Sequence, residues 1–573
     1  MGLLRLVPGY RWAAPAMVIL GVAAAVAETL GVTLAVMFLF SILGKTDELA
    51  ANAGLFSGLF QRFGNVLSAN PMLIAQVLFA LIVINALLIY TYQVLTAVAT
   101  NRIAERMRDL VHELYVTVGY RYLQDCEQGA LVQTLTNETW NVSEAIFSVA
   151  RMVVNSCAIA VFGAGLLALS WQIGVTAALC ALATFSILRL MARPIRRYSE
   201  LTLAENQILA ERMMVSLHGM RTLRAFAQEA YVLRLFSAAS ARVRKLAVRT
   251  ERLKAMVGPF GEVASLGTLM LIAMIAGYVG IGVPTIVAAV FLLLRLQPHL
   301  RELDSHRLTV IEMSASLQIV GQTLAHEGKI WPTPGHIGFD GLRREIRFDN
   351  VSFTHDTRRG ASVDAVSCVI RCGEITALSG PSGSGKTTII NLLLRLYEPA
   401  SGKILIDGVD LLTLTRKSWL DRMAIAGQDV ELIEGTVAQN LRLAKHDASI
   451  EDLREACATV EILDDILKIP EGFDARIGPG GLSFSGGQRQ RLGLARALIR
   501  KPDFLILDEA MSALEPALED RIKTRIAALM AGKTVLVVSH RANANAAAAA
   551  VIRIEAGRVD EAPLTSGSQL ANA

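Results

Sequence analysis

The chain has 573 residues, too many for one hydrophobic core, so at least two domains are expected. Hydrophobic residues make up 53% and charged residues 19%, with a mean hydropathy of +0.44, too apolar for an ordinary soluble protein, so a membrane-embedded portion is the first expectation. The formal net charge of +5 forms no basic stripe interleaved with aromatics; no nucleic-acid partner is expected, and the surplus reads as cytoplasmic flanks of membrane helices. Cys126, Cys157, Cys180, Cys368, Cys372 and Cys457 contain no C-x-x-C pair. Cys157 and Cys180 read as small core residues in apolar runs, and Cys368 and Cys372 lack the further ligands of a zinc site. A reduced, cytoplasm-facing environment fits them.

Spanning a bilayer takes about 20 apolar residues. Spans are expected at 13–43, 71–100, 144–169, 172–192, 256–279 and 283–308. Arg5 and Arg11 precede the first, but that run is too long for the core of a signal peptide. A loop with Lys45, Asp47, Glu48 and Arg62 joins the first two spans; Ser170-Trp171-Gln172 and Gly280-Ile281-Gly282 make tight turns between later ones. Basic residues concentrate after the second span (Arg102, Arg106, Arg108, Arg121) and after the fourth, from Arg193 to Lys254, which makes both segments and both termini cytoplasmic. Breaks at 124–129 and at His218-Gly219 are places for short helices lying across another domain. Glu28, Asn85, Arg151, Asn155, Glu262 and Arg295 lie inside apolar spans, where polarity is costly; they serve cargo or pair with each other, and Glu262 with Arg295 is the expected pair.

Trp331-Pro332-Thr333-Pro334-Gly335 marks a linker, after which short apolar strands alternate with helices as in an α/β domain. The expected organisation is an all-α six-helix transmembrane bundle over 1–325, a linker over 326–340, and an α/β P-loop domain over 341–573. The alanines 546–550 read as helix.

The strand Ile375–Ser379 runs into Gly380-Pro381-Ser382-Gly383-Ser384-Gly385-Lys386-Thr387-Thr388 and an apolar helix. This is G-x-x-x-x-G-K-[ST] in its strand–loop–helix context: backbone N–H groups and the helix N-terminus wrap phosphates, Lys386 reaches the β- and γ-phosphates, and the Thr387 hydroxyl reaches Mg²⁺. A second apolar strand, 504–507, ends in Asp508-Glu509. Asp508 is placed to hold Mg²⁺, and Glu509 to polarise the attacking water. ATP and Mg²⁺ are the expected cofactors.

Phe484-Ser485-Gly486-Gly487-Gln488-Arg489-Gln490-Arg491 resembles the L-S-G-G-Q signature of ATP-binding cassette (ABC) transporters. The resemblance covers nearly the whole chain, strongly after about residue 345, and points to a half-transporter of the exporter type. It implies that Ser485, Gly486, Gly487 and Gln488 cap the γ-phosphate bound by an opposite subunit. By the same resemblance Gln428 looks like the Q-loop glutamine touching Mg²⁺ and water, and His540 like the switch histidine. The segment 122–136 and Ser216–Arg224 with Glu229 resemble the two coupling regions. Departures are His355, where the family usually stacks an aromatic on adenine, Glu515 in place of aspartate in S-A-L-D, and Pro479 in place of glutamate in G-E-x-G.

The resemblance implies a homodimer, or a heterodimer, in a bacterial-type inner membrane with the nucleotide domain cytoplasmic. It would export an amphipathic peptide, lipid or drug-like molecule by alternating access. An exporter-fold importer, such as a siderophore transporter, is the alternative.

Overall fold

The structure is a computed structural model and describes residues 12–42, 71–279, 281–355, 362–428, 430–478, 484–538 and 548–560. His540, Pro479, the charges at Lys45, Asp47, Glu48 and Arg62, and alanines 546–547 therefore lie outside the described residues. The chain folds as two compact units, one of residues 1–116 with 125–328 and the other of 117–124 with 329–573.

The first unit is helical. Its long helices are Ala13–Ile42, Pro71–Thr117, Thr139–Leu169, Trp171–His218, Glu229–Val279 and Val283–Glu312, each overlapping one expected span. Among the described residues four helices are long and apolar enough to cross a membrane, and Trp171–Ile187 adds a shorter apolar stretch. The third and fourth long helices are separated only by Ser170, extended at φ −158°, whose hydroxyl donates to Gln172. The expected breaks are present: the short helix Tyr120–Asp125, whose residues 120–124 belong to the second unit, and Gln128–Gln133 flank residues 126–127, and Gly219 separates Trp171–His218 from Met220–Ala225.

The charge pairing inside this unit differs from expectation. Arg295 pairs with Glu28 at 3.0 Å, not with Glu262. Arg151 takes Glu144 at 3.1 Å, and Asn155 shares a 2.8 Å hydrogen bond with His299 Nδ1. Leaving a charge unpaired at the middle of a bilayer costs about 3 kcal/mol; Arg151 meets Glu144 within one helix, whereas Arg295 with Glu28 and His299 with Asn155 link different helices.

The second unit is an α/β domain. Strands β1 (Glu345–Phe353), β2 (Val363–Arg371), β4 (Ser401–Ile406) and β5 (Val409–Asp410) form an antiparallel sheet in the order β2-β1-β4-β5. Strands β3 (Ile375–Ser379), β6 (Met423–Ala426), β9 (Phe504–Asp508), β10 (Thr534–Val538), β11 (Ala550–Glu555) and β12 (Arg558–Val559) form the central sheet, in the order β12-β11-β3-β10-β9-β6. A two-stranded pair is made by β7 (Gly435–Thr436) and β8 (Arg476–Ile477). From β11 to β6 the central strands are parallel and rich in Val, Ile and Leu, as befits strands covered on both faces. Ala550 pairs with Thr376 inside this sheet, so the alanine run ends in a strand where a helix was expected: sheet pairing overrides alanine's helical preference.

The 331–335 segment has no regular secondary structure and is pinned within this unit. Thr333 donates its N–H and hydroxyl to the Glu398 carboxylate, at 2.6 and 2.8 Å, and its carbonyl accepts from Arg395 at 2.7 Å. Trp419, 1% exposed, packs against Phe339 and Phe504 and donates its indole N–H to the Leu393 carbonyl at 2.7 Å. Truncating such a side chain costs about 3–5 kcal/mol. Cys457 is 0% exposed in the other core cluster, and burial pushes its thiol up to about 12. A maleimide probe on the native protein is expected to leave Cys457 unmodified and to label it only once the domain unfolds; labelling at native temperature would contradict this packing.

Candidate nucleotide site

Parallel pairing aligns the carboxyl ends of three strands. Leu378 of β3 lies opposite Val538 of β10, which lies opposite Asp508 of β9. The glycine-rich loop therefore leaves the same sheet edge at which Asp508 and Glu509 stand.

The loop's path requires glycine at two points. At Gly380, φ +155°, an added Cβ would come within 2.1 Å of the Ile554 carbonyl; at Gly385, φ +108°, it would come within 2.6 Å of Ser362 O. Gly385 caps the helix Lys386–Leu393, whose first N–H groups have no partner within the helix and point toward the loop's hollow. Lys386 is buried, 7% exposed, and folds back over the hollow, donating to the carbonyls of Gly380 (2.8 Å) and Pro381 (2.7 Å). Burial lowers its pKa, while the nearby Glu509 and Asp508 carboxylates oppose that shift. Ser384 Oγ is buried without a hydrogen-bond partner among the described residues. A cradle of orphan donors beside an ammonium suits phosphate oxygens. Pro381, Ser382 and Gly383 form the exposed lip, Thr387 is exposed on the first turn, and Thr388 is buried.

Asp508 and Thr387 are hard oxygen donors of the type Mg²⁺ takes together with phosphate oxygens. Glu509 has a left-handed backbone, φ +47°. Its N–H donates to Val538 O (3.2 Å), and its carbonyl accepts from Ser512 N–H (3.1 Å), so the turn after β9 is closed around it. Gln428 is exposed on the loop after β6, the neighbour of β9.

Ser485 is the N-cap of the helix Gly486–Ile499 in a capping box: its hydroxyl accepts from Gln488 N–H (3.2 Å), and Gln488 Oε1 accepts from Ser485 N–H (3.0 Å). Gly487 comes close to the turn after β9, where an added Cβ would lie 3.2 Å from Ala513 O.

His355, exposed at the end of β1, stands edge-on to Phe353 and Tyr397, with ring centroids 5.0 and 5.1 Å away. Phe353 and Tyr397 stack at 4.8 Å. Arg121 donates to the His355 carbonyl at 2.5 Å and lies over the Phe353 ring, while Tyr397 donates its hydroxyl to Gln124 at 2.6 Å. Arg121 entered the sequence analysis only as a basic flank; its place beside His355 has no local sequence signal. Gln490, quoted only as part of the signature, is buried, bonds Ser512 and Ala513 in the turn after β9 and makes a longer contact with the Gln428 carbonyl, again through contacts distant in sequence.

The ABC transporter family model matches residues 363–512, and the ABC transporter transmembrane region model matches residues 17–295. The chain is 30% identical over 488 residues to the uncharacterized ABC transporter ATP-binding protein y4gM of Sinorhizobium fredii, covering 83% of this chain and 82% of that one. It is 32% identical over 406 residues to the ATP-dependent lipid A-core flippase of Cupriavidus metallidurans, covering 68% and 67%. A solved bacterial Atm1-family ABC exporter with ATP bound shares the fold at a TM-score of 0.77 and 22% identity, over 98% of this chain and 95% of that one. The chain belongs to the ABC transporter family. It is a multi-pass membrane protein with an exporter-type fold, a helical transmembrane domain joined to an ATP-binding domain.

An imidazole offers less area to a base than a phenol ring. His355→Tyr is expected to tighten ATP binding several-fold, about 1 kcal/mol of added stacking, measured by fluorescent-nucleotide titration. Unchanged affinity would count against a base at this position.

Proposed function

We propose that this chain is an ATP-hydrolysing exporter that works as a pair of identical chains in a bacterial inner membrane. It moves an amphipathic peptide, lipid or drug-like molecule by alternating access. The observation that carries this reading is the meeting of the glycine-rich loop, Lys386 and the Asp508–Glu509 pair at one sheet edge, in a chain whose other unit has membrane-length apolar helices. The lipid A-core flippase among the relatives favours a lipid-like cargo.

In the proposed cycle the loop 380–388 wraps the phosphates and Lys386 exchanges its bonds to the Gly380 and Pro381 carbonyls for β- and γ-phosphate oxygens. Asp508, Thr387 and Gln428 would hold Mg²⁺, which supplies charge neutralisation on the phosphates. Glu509 orients and deprotonates water for attack on the γ-phosphorus, and His540 contacts the γ-phosphate. Ser485 and the amides of Gly486, Gly487 and Gln488 cap the γ-phosphate held by the partner chain, so closure of the pair requires ATP and hydrolysis releases it. ATP binds the closed arrangement better, and that difference biases the helices between inward- and outward-open states. Glu515 in place of aspartate moves a carboxylate outward near the dimer contact, and at Pro479 one contact of a glutamate is lost; neither removes a hydrolytic group.

With the protein in lipid nanodiscs, Glu509→Gln is expected to lower ATP turnover by about 10²- to 10⁴-fold while nucleotide binding persists. Cargo-stimulated turnover, and ATP-dependent movement of the same cargo into inside-out vesicles, would complete the test. Turnover retained by the variant would remove Glu509 from its role, and movement in the opposite direction would make the chain an importer.

A further inference from the structure

The 486–499 helix carries a polar side chain, Gln490, turned inward. Gln490 is 6% exposed, and its amide is used on both sides. Its Oε1 accepts from Ala513 N–H at 2.9 Å. Its Nε2 donates to Ser512 Oγ at 3.0 Å and makes a longer contact, 3.5 Å, with the Gln428 carbonyl. Buried amides are costly unless satisfied, and an apolar residue of similar size would fill the space without that demand.

The partners of Gln490 belong to two different loops. Gln428 follows β6, and Ser512 and Ala513 follow β9, two strands paired in parallel with Ala426 opposite Leu507. Ser512 also closes the turn on Glu509, its N–H donating to the Glu509 carbonyl. One side chain on the helix that begins at Ser485 is therefore bonded to the loop of Gln428 and to the turn that holds Glu509 in its left-handed conformation. A shift of that helix pulls on both.

We propose that Gln490 is a positioning residue for hydrolysis, transmitting the position of the signature helix to the Glu509 turn and to the Gln428 loop. The proposal rests on the hydrolytic roles given above to Glu509 and Gln428. Among the described residues Gln490 makes no hydrogen bond to the 380–388 loop, so its effect falls on turnover and not on nucleotide capture.

Gln490→Glu keeps the acceptor for Ala513 N–H but sets a carboxylate oxygen against the Gln428 carbonyl. In full-length protein in nanodiscs it is expected to lower kcat for ATP about 10- to 100-fold, the usual scale for a misplaced catalytic group, with KM within about threefold of wild type. Ser512→Ala is expected to lower kcat as well, and the double variant Gln490→Leu/Ser512→Ala to lose less than the product of its two single variants, since both break the Gln490–Ser512 bond. A kcat within twofold of wild type for Gln490→Glu, or strict additivity, would overturn the proposal. A second arm does not depend on turnover. Hydrogen exchange of the peptide 508–515 should rise in Gln490→Leu, where Ala513 N–H loses its acceptor, and stay near wild type in Gln490→Glu. Equal exchange in all three proteins would overturn the link, whereas a wild-type protein without ATPase activity but with this exchange pattern would instead remove the proposed function.

Discussion

The second unit depends on the parallel register that sets Leu378, Val538 and Asp508 side by side. A slip of one residue in β9 would send Asp508 to the opposite face of the sheet and leave the 380–388 loop without its acidic neighbour. The register is held by a continuous apolar strand core, in which Phe504, Leu505, Ile506 and Leu536 are almost fully buried. With the strand ends fixed, close approach does the rest. Gly380 against the Ile554 carbonyl and Gly385 against Ser362 O leave no room for a Cβ, so the loop closes tightly enough for its N–H groups to converge.

The same logic, in a different solvent, governs the membrane unit. Lipid supplies no partner for a charge, so Glu28 and Arg295 meet across the first and sixth long helices, and His299 bonds Asn155 on the third. These links tie together helices that otherwise touch through small and branched apolar residues such as Ala158, Ala289 and Leu292.

What could be read directly from the residues was whatever local chemistry dictates. The course of the 380–388 loop was legible because a tight turn between a buried strand and a helix demands glycines at set spacings, and β3 because its apolar run ends where that loop starts. The long helices were legible from length and hydropathy, and the breaks near Gly129 and Gly219 from interrupted helical pattern. What escaped depends on which distant surfaces meet. Glu262 was the expected partner of Arg295, but helix packing brings Glu28 to it. The alanines before Val551 favour helix until β3 offers a ladder of hydrogen bonds. Arg121 and Gln124 are remote in sequence from His355 and Tyr397, and only the fold brings 117–124 into the same unit. Gln490 stood in a recognised motif, yet its bonds to Ser512 and Ala513 have no periodic trace.

If ATP is held between two copies, Lys386 and Ser485 act on one nucleotide from different chains, and defects in them should complement. The direct measurement is ATP turnover of purified mixed dimers, one chain carrying Lys386→Ala and the other Ser485→Arg, each with its own affinity tag. One intact site forms in such a dimer, so its turnover is expected to stand well above that of either parent homodimer. Mixed dimers as inactive as both parents would contradict a nucleotide shared between chains.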